Sequence, residues 1–359
     1  MDVAAFAAWR VGVGLLDRTQ RGLLLEDLAL AEANHPIDCS TSELAESTAR
    51  SGTEAASEVT ERTADPVPGG GLLAQIGQAR IASFGCPHCG GDAIHPWGKA
   101  SGKPRYRCAS CRRTFNAVTG TPLAGLRRMD RWNGQAEALI SGETVAKAAD
   151  RCNVAYTTAF RWRHRFLAAL KADKPQHLSG IVEADETVIL ESFKGKRADL
   201  PRAARKRGGK AAKRGLSVEQ IPIMVARDRS GATIDAVLPR LDAASITKAL
   251  GGVISWPAEL CCDGGAAITA FARRARLTFH VLPAPGIPRP EAPELHINNV
   301  NAYHGRFKEW MRRFHGVATK NLPNYLSWRR TLEALGAAPN PEAWIKAAAG
   351  LGPYQQSTL

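Results

Sequence analysis

The feature that most constrains this chain is a pair of cysteine pairs. The stretch "CPHCGGDAIHPWGKASGKPRYRCASCRRTF" sets Cys86 and Cys89, then Cys108 and Cys111, as two Cys-x2-Cys knuckles with 18 residues between them. Two thiolate pairs on tight turns supply the four soft ligands of a tetrahedral structural zinc. The segment from residue 84 therefore reads as a small Cys/Gly/aromatic module, with Gly90 and Gly91 turning the first knuckle and "RYRCASC" setting the second after a strand. Four cysteines fill the ligand shell, so His88 and His95 are read as surface residues. Cys39, Cys152, Cys261 and Cys262 are scattered. Paired spacing without a secretion signal points to metal rather than to a disulfide framework.

Charge narrows the partners. The 359 residues carry a formal net charge of +14. Residues 1–75 hold 5 Lys+Arg and 12 Asp+Glu, a net of −7, which leaves +21 on the remainder. A body this basic suits a polyanion, most simply nucleic acid, although a high pI alone also fits an ordinary basic protein. No run of 18 apolar residues occurs, and the apolar start "MDVAAFAAWRVGVGLLDRTQ" lacks a basic leader. A cytoplasmic protein with no membrane span is expected.

Residues 1–35 read as a helical segment and 36–80 as a disordered linker rich in Ser, Thr, Glu, Gly and Pro. A zinc ribbon over 81–125 and a helix-turn-helix over 126–178 follow. From 181 onward strand-like runs ("GIVEADETVIL", "QIPIMVARD", "ATIDAVLP", "AELCCDG", "LTFHVLP") alternate with helices. That order predicts a mixed α/β sheet over 179–345 with a tail at 346–359. Between the first two of these strands, residues 191–216 hold 10 basic and 2 acidic side chains, with Arg205, Lys206 and Arg207 at the centre. So basic a block contacts polyanion, or else is a solvated loop of no specific role.

"GETVAKAADRCNVAYTTAFRWRHRFLAAL" predicts a short helix capped by Thr144, a turn at Asn153 and a longer helix. Asn tolerates the left-handed conformation such a turn needs. Val154, Ala159 and Trp162 would face the core. Tyr156, Thr157, Thr158 and Arg161 would project from the start of the second helix, the part that enters a major groove. Arg163 and Arg165 would hold phosphates further along, and Lys103, Arg105, Arg107, Arg112 and Arg113 offer a second basic face on the ribbon.

"IVEADETVIL" is an apolar strand with acids in its middle, and a buried carboxylate is costly unless paired or bound to metal. Period-2 alternation sets Glu183 and Asp185 on one face and Glu186 on the other, so Glu183 rivals Asp185. "AELCCDGGAAI" ends a second strand at Asp263, before glycines and a helix; the bland role for that aspartate is a turn or cap. In "HINNVNAYHGRFKEWMRRF", Val300, Tyr303, Phe307, Trp310 and Phe314 form one core-facing helical stripe, flanked by Asn301, His304, Gly305, Lys308 and Arg312. Asn301 can bring an amide oxygen to a site at a sheet edge or merely cap the helix. Two carboxylates and a third oxygen ligand suit a two-metal phosphodiester site, and hard oxygens select Mg²⁺ or Mn²⁺.

Ribbon, helix-turn-helix and "DET" strand in this order resemble the zinc-ribbon DDE-type transposases of bacterial insertion sequences, the ISXO-like group. The most specific stretch is "HINNVNAYHGRFKEWMRRFHGVATKNLPNYLSWRR", and the likeness covers about residues 84–335. The resemblance implies an RNase H-like catalytic domain that cuts and joins DNA at element ends, a nucleoid-associated activity of an assembly of several copies on double-stranded DNA. It matches Asp185 to the first acid, Asp263 to the second and Asn301 to the third-ligand position, where many relatives have glutamate and some asparagine. Lys308 matches a basic residue further along that helix. A non-catalytic DNA-binding regulator, an inactive derivative, or a nuclease without strand transfer are the other readings. Two buried acids at strand ends argue against the regulator.

Overall fold

The computed structural model describes residues 70–356 except 197, 204, 206–208, 214–216, 283–290 and 337–339. The helical segment read at 1–35, most of the linker, and Lys206 and Arg207 lie outside the described residues.

Helix α1 (Gly70–Phe84) starts inside the stretch that composition had assigned to a linker. Its Leu73 and Ile76 are buried, and that burial outweighs the two glycines that open it. Gly77 lets α1 approach the next module: a Cβ there would lie 2.5 Å from the Tyr106 hydroxyl. That module is an antiparallel sheet of β1 (Ile94–Ala100), β2 (Lys103–Cys108) and β3 (Thr114–Asn116), in sequence order. Its small core is Cys86, Tyr106, Cys108 and Phe115.

Three helices follow: α2 (Trp132–Ile140), α3 (Val145–Cys152) and α4 (Tyr156–Ala168). The Thr144 hydroxyl caps α3 by accepting from the Lys147 N–H at 3.4 Å. Asn153 ends α3 in the left-handed region, at φ 47°. Ala159 and Trp162 are buried as the spacing required.

The main sheet has five strands in the order β6-β5-β4-β7-β8: β4 (Ile181–Leu190), β5 (Gln220–Asp228), β6 (Thr233–Val237), β7 (Glu259–Cys262) and β8 (Thr278–Val281). The first three are antiparallel neighbours, whereas β7 runs parallel to β4 and β8 parallel to β7. The domain is thus mixed α/β. Alternation along the strands splits the core into two layers. Val182, Ala184, Met224, Ala226, Leu260 and Cys262 pack with α5 (Ala243–Leu250) and α6 (Ala266–Arg274). Ile223, Val225 and Cys261 join a larger core with α7 (Asn298–Arg312), α8 (Leu322–Ala334) and α9 (Pro341–Ala348).

That larger core also takes in Trp132, Leu139, Trp162 and Phe166 from α2 and α4. Trp328 of α8 packs edge-on against Trp310 at 4.9 Å and donates its indole N–H to the Leu139 carbonyl at 2.8 Å. The residues expected as a tail are packed too. Ala347, Ala348 and Leu351 are buried, and the N–H of Tyr354, in the short α10 (Pro353–Gln356), donates to Asp173. No helix among the described residues is long and apolar enough to cross a membrane.

Candidate active site

Strand register brings the two aspartates together. Glu183 on β4 is level with Cys261 on the parallel β7, so two residues further on Asp185 is level with Asp263. Parallel neighbours lie about 4.8 Å apart, and residues two apart on a strand share a face. Asp263 opens the Gly264–Gly265 turn into α6. Its Oδ1 accepts the Gly265 N–H at 2.9 Å, so it serves the turn as well. Gly264 is required there: its φ is +85°, and a Cβ would lie 2.5 Å from the Val281 side chain.

Glu186 joins them. One carboxylate oxygen each from Asp185, Glu186 and Asp263 lie within 4.8 Å of one another. Burial first, then the Asp263 and Glu186 charges, push the Asp185 carboxyl up to about 7; the Lys308 charge pulls the other way. Burial and then Asp263 also raise Glu186. Three acids crowded in this way are eased by a cation.

Helix α7 packs over the face of β4 that carries Asp185. Val300, Tyr303, Phe307 and Trp310 are buried in the large core, which fixes the rotation of the helix. The face that carries His304 and Lys308 is thereby turned to Asp185, which the His304 ring meets and the Lys308 charge acts on; Asn301 lies about one turn before His304 on that helix. His304 is buried, with Nδ1 3.6 Å from Asp185 Oδ2 and Nε2 without a hydrogen-bond partner. Burial, then Lys308, lowers its pKa to about 4, so the ring is neutral. Asn301 and Lys308 are exposed.

Glu183 does not share the cluster. Its fully buried carboxylate accepts the Val300 N–H and the Asn299 side-chain amide, both at 2.9 Å, and pairs with Arg229. It caps α7.

The four knuckle cysteines form the second cluster. Their sulfurs lie within 4.8 Å of one another, with Cys86–Cys111 and Cys89–Cys108 each at 3.7 Å. A backbone N–H from Cys111 leads the effects that lower the Cys108 thiol to about 6.

On α4, Tyr156, Thr157 and Arg161 are exposed, together with Phe160. Arg163 is not available to phosphate: it is buried, donates to the Glu143 carbonyl and lies over the Phe314 and Trp328 rings. Arg165 is exposed but donates to the Pro122 and Ala124 carbonyls. In the basic insertion, Arg205 pairs with Glu219 at 2.7 Å and donates to the Glu191 carbonyl, so its charge is engaged within the chain. Each of these arginines sits beside an acceptor that a count of charges does not see.

Two residues of the site went unassigned in the sequence reading. Strict alternation put Glu186 on the far face, away from Asp185. His304 was legible in principle, because it lies three residues after Asn301 and four before Lys308 on one helical face.

Comparison with known proteins finds a similarity over the stretch that holds the acid cluster. Residues 177–330, which contain Asp185, Glu186, Asp263 and all of α7, match the ISXO2-like transposase domain. An uncharacterized protein in transposable element ISH50 of Halobacterium salinarum is 35% identical over 161 residues, which is 44% of this chain and 53% of that protein. The chain thus spans about half the length of the curated relative it matches. Among solved structures, a pre-cleavage Mos1 transpososome is 16% identical, with a TM-score of 0.18, over 63% of this chain and 81% of that one. The Mos1 mariner paired end complex with Mn is 17% identical, with a TM-score of 0.20, over 61% and 78%. Scores this low leave the function to be argued from the site.

Proposed function

We propose that this chain is a DNA transposase that binds the ends of a mobile element, cleaves them at their 3′ ends and joins them to target DNA. The observation that carries the reading is the Asp185–Glu186–Asp263 cluster within a transposase-type domain. The strand order, three antiparallel strands flanked by two parallel ones, is consistent with an RNase H-like fold.

The donor set fits hard divalent ions. It consists of carboxylate oxygens, half-buried in Asp185 and Glu186 and exposed in Asp263, crowded enough to raise Asp185. Asp185 and Asp263 would hold Mg²⁺ or Mn²⁺, with the Asn301 amide oxygen reaching in from α7. Ions bound there would supply charge that offsets the build-up on the phosphate oxygens and would lower the pKa of the attacking hydroxyl. The chain's own groups do the rest. Lys308, exposed at the rim, holds a phosphate of the strand. His304 packs its neutral ring against Asp185 and keeps water from that side. The buried stripe of α7 holds both residues in place.

The cysteine cluster fits a structural zinc. Four sulfurs about 2.3 Å from a central ion would be about 3.8 Å apart, close to the spacing of the two sulfur pairs. The zinc ribbon and the α3–α4 helix-turn-helix then form the DNA-binding part, with Tyr156, Thr157 and Arg161 toward the major groove. Copies of the chain assemble on the paired ends.

The test is incubation of the full chain with its flanking genomic DNA and Mg²⁺, reading 3′ nicks and strand-transfer products. Asp185→Ala and Asp263→Ala should each lose about 10²-fold or more in cleavage while binding DNA as the parent does. Unchanged nicking in both variants would sink the assignment. Nicks without joining would leave a nuclease, and binding without nicks a regulator.

A further inference from the structure

We propose that Glu186 is the third carboxylate ligand of the metal site, and that its charge is why a neutral Asn301 suffices on α7. The inference rests on reading the acid cluster as a divalent-ion site.

Three observations support it. The first is reach. β7 ends at Cys262 while β4 continues to Leu190, so β4 runs on past the last paired residue of β7. Glu186 can there turn over the Gly265 backbone toward Asp263 instead of entering the α5–α6 layer. A Cβ on Gly265 would lie 3.3 Å from Asp263 Oδ1 and 4.0 Å from Glu186 Oε1, so the glycine leaves both carboxylates their room.

The second is partnership. Several buried or half-buried acids of this domain are matched by cations, Glu183 by Arg229, Asp235 by Arg330 and Glu333 by Arg227 and Arg306, while the buried Asp228 accepts from Ser230 and Ala232. Among the described residues, neither Glu186 nor Asp263 makes an ion pair, and Asp185 meets only the His304 ring. Two half-buried acids, Asp185 and Glu186, that share one locus with the exposed Asp263 and no resident cation are arranged for an exchangeable one.

The third is charge. Two aspartates and an asparagine offer a pair of divalent ions only two negative charges. Glu186 restores the third, from the strand instead of the helix. An acid at residue 301 is then not needed, because the site already holds three.

The test is Mn²⁺ binding to the purified full chain, followed by the loss of the free-ion EPR signal, with thermal unfolding as a fold control. Asp185→Asn should abolish the tight site. Glu186→Gln, nearly isosteric, should weaken binding by at least about tenfold, because ligand charge sets affinity. The double variant Glu186→Gln with Asn301→Glu should recover to within about threefold of the parent, since it moves the charge from strand to helix at a constant total. Parent-like binding by Glu186→Gln overturns the inference. So does a double variant that binds no better than Glu186→Gln alone. If Asp185→Asn also binds as the parent does, the underlying metal-site reading fails instead, so the two failures are distinguishable.

Discussion

Asp185 carries the electrostatic tension of this molecule. Its folded pKa is about 7, against an ordinary value of 3.8. Between those values the unfolded chain holds this aspartate ionised and the folded chain holds it protonated. Folding therefore takes up a proton, and stability from this group falls as pH rises through that window. Thermal melts of the metal-free chain should show the slope, and Asp185→Asn should flatten it. A divalent ion reverses the sign, because it binds the ionised form. Apparent Mn²⁺ affinity should rise by about tenfold per pH unit up to about 7 and then level, one proton being displaced. Titrations at three pH values below and above 7 check this, and a flat profile would show that Asp185 is not protonated in the free site.

At the scale of elements, β4 carries two acids with separate tasks. Asp185 faces the cluster, whereas Glu183 ties the strand to the N-terminus of α7 through Val300, Asn299 and Arg229. Removing a buried partner of this kind strands both a charge and a backbone donor. Glu183→Ala should destabilise the chain by about 3 kcal/mol or more, and Glu183→Gln by less, because it still accepts from Val300. Neither should abolish Mn²⁺ binding, which urea melts and a metal titration together would check. A Glu183→Ala chain of parental stability without Mn²⁺ binding would make Glu183 the ligand in place of Asp185. Much of this was legible beforehand. The strands, the Asn153 turn and the α7 stripe follow from periodicity and turn chemistry, which are local. The pairing of Asp185 with Asp263 was expected from their places on two apolar strands and from the family resemblance, but only register makes it geometry. Glu183 as a cap was not legible, because nothing within ten residues of it says that α7 begins above it. The same holds for Arg163, whose aromatic neighbours lie more than a hundred residues away.

At the scale of the whole molecule, the two proposed metal centres differ in what they hold up. The carboxylate site sits on a sheet with cores on both faces and needs no ion to fold around. The cysteine module has four buried core residues, two of them the cysteines Cys86 and Cys108. So small a core cannot offset the entropy of ordering its loops, and the proposed zinc must supply that free energy. Removing zinc should therefore unfold one part of the chain and spare the other. Chelation, or Cys86→Ser with Cys108→Ser, should remove hydrogen-exchange protection from residues 86–116. α1 should loosen with it, because Gly77 packs against Tyr106. The strands β4, β5 and β7 should keep their protection, and Mn²⁺ should still bind. Sequence-specific DNA binding should weaken, while the basic body retains salt-sensitive affinity for any duplex. Hydrogen exchange read by mass spectrometry separates the outcomes. Loss of protection across the main sheet as well would mean that the cysteine module and the sheet domain fold as one cooperative unit, with zinc as a determinant of both.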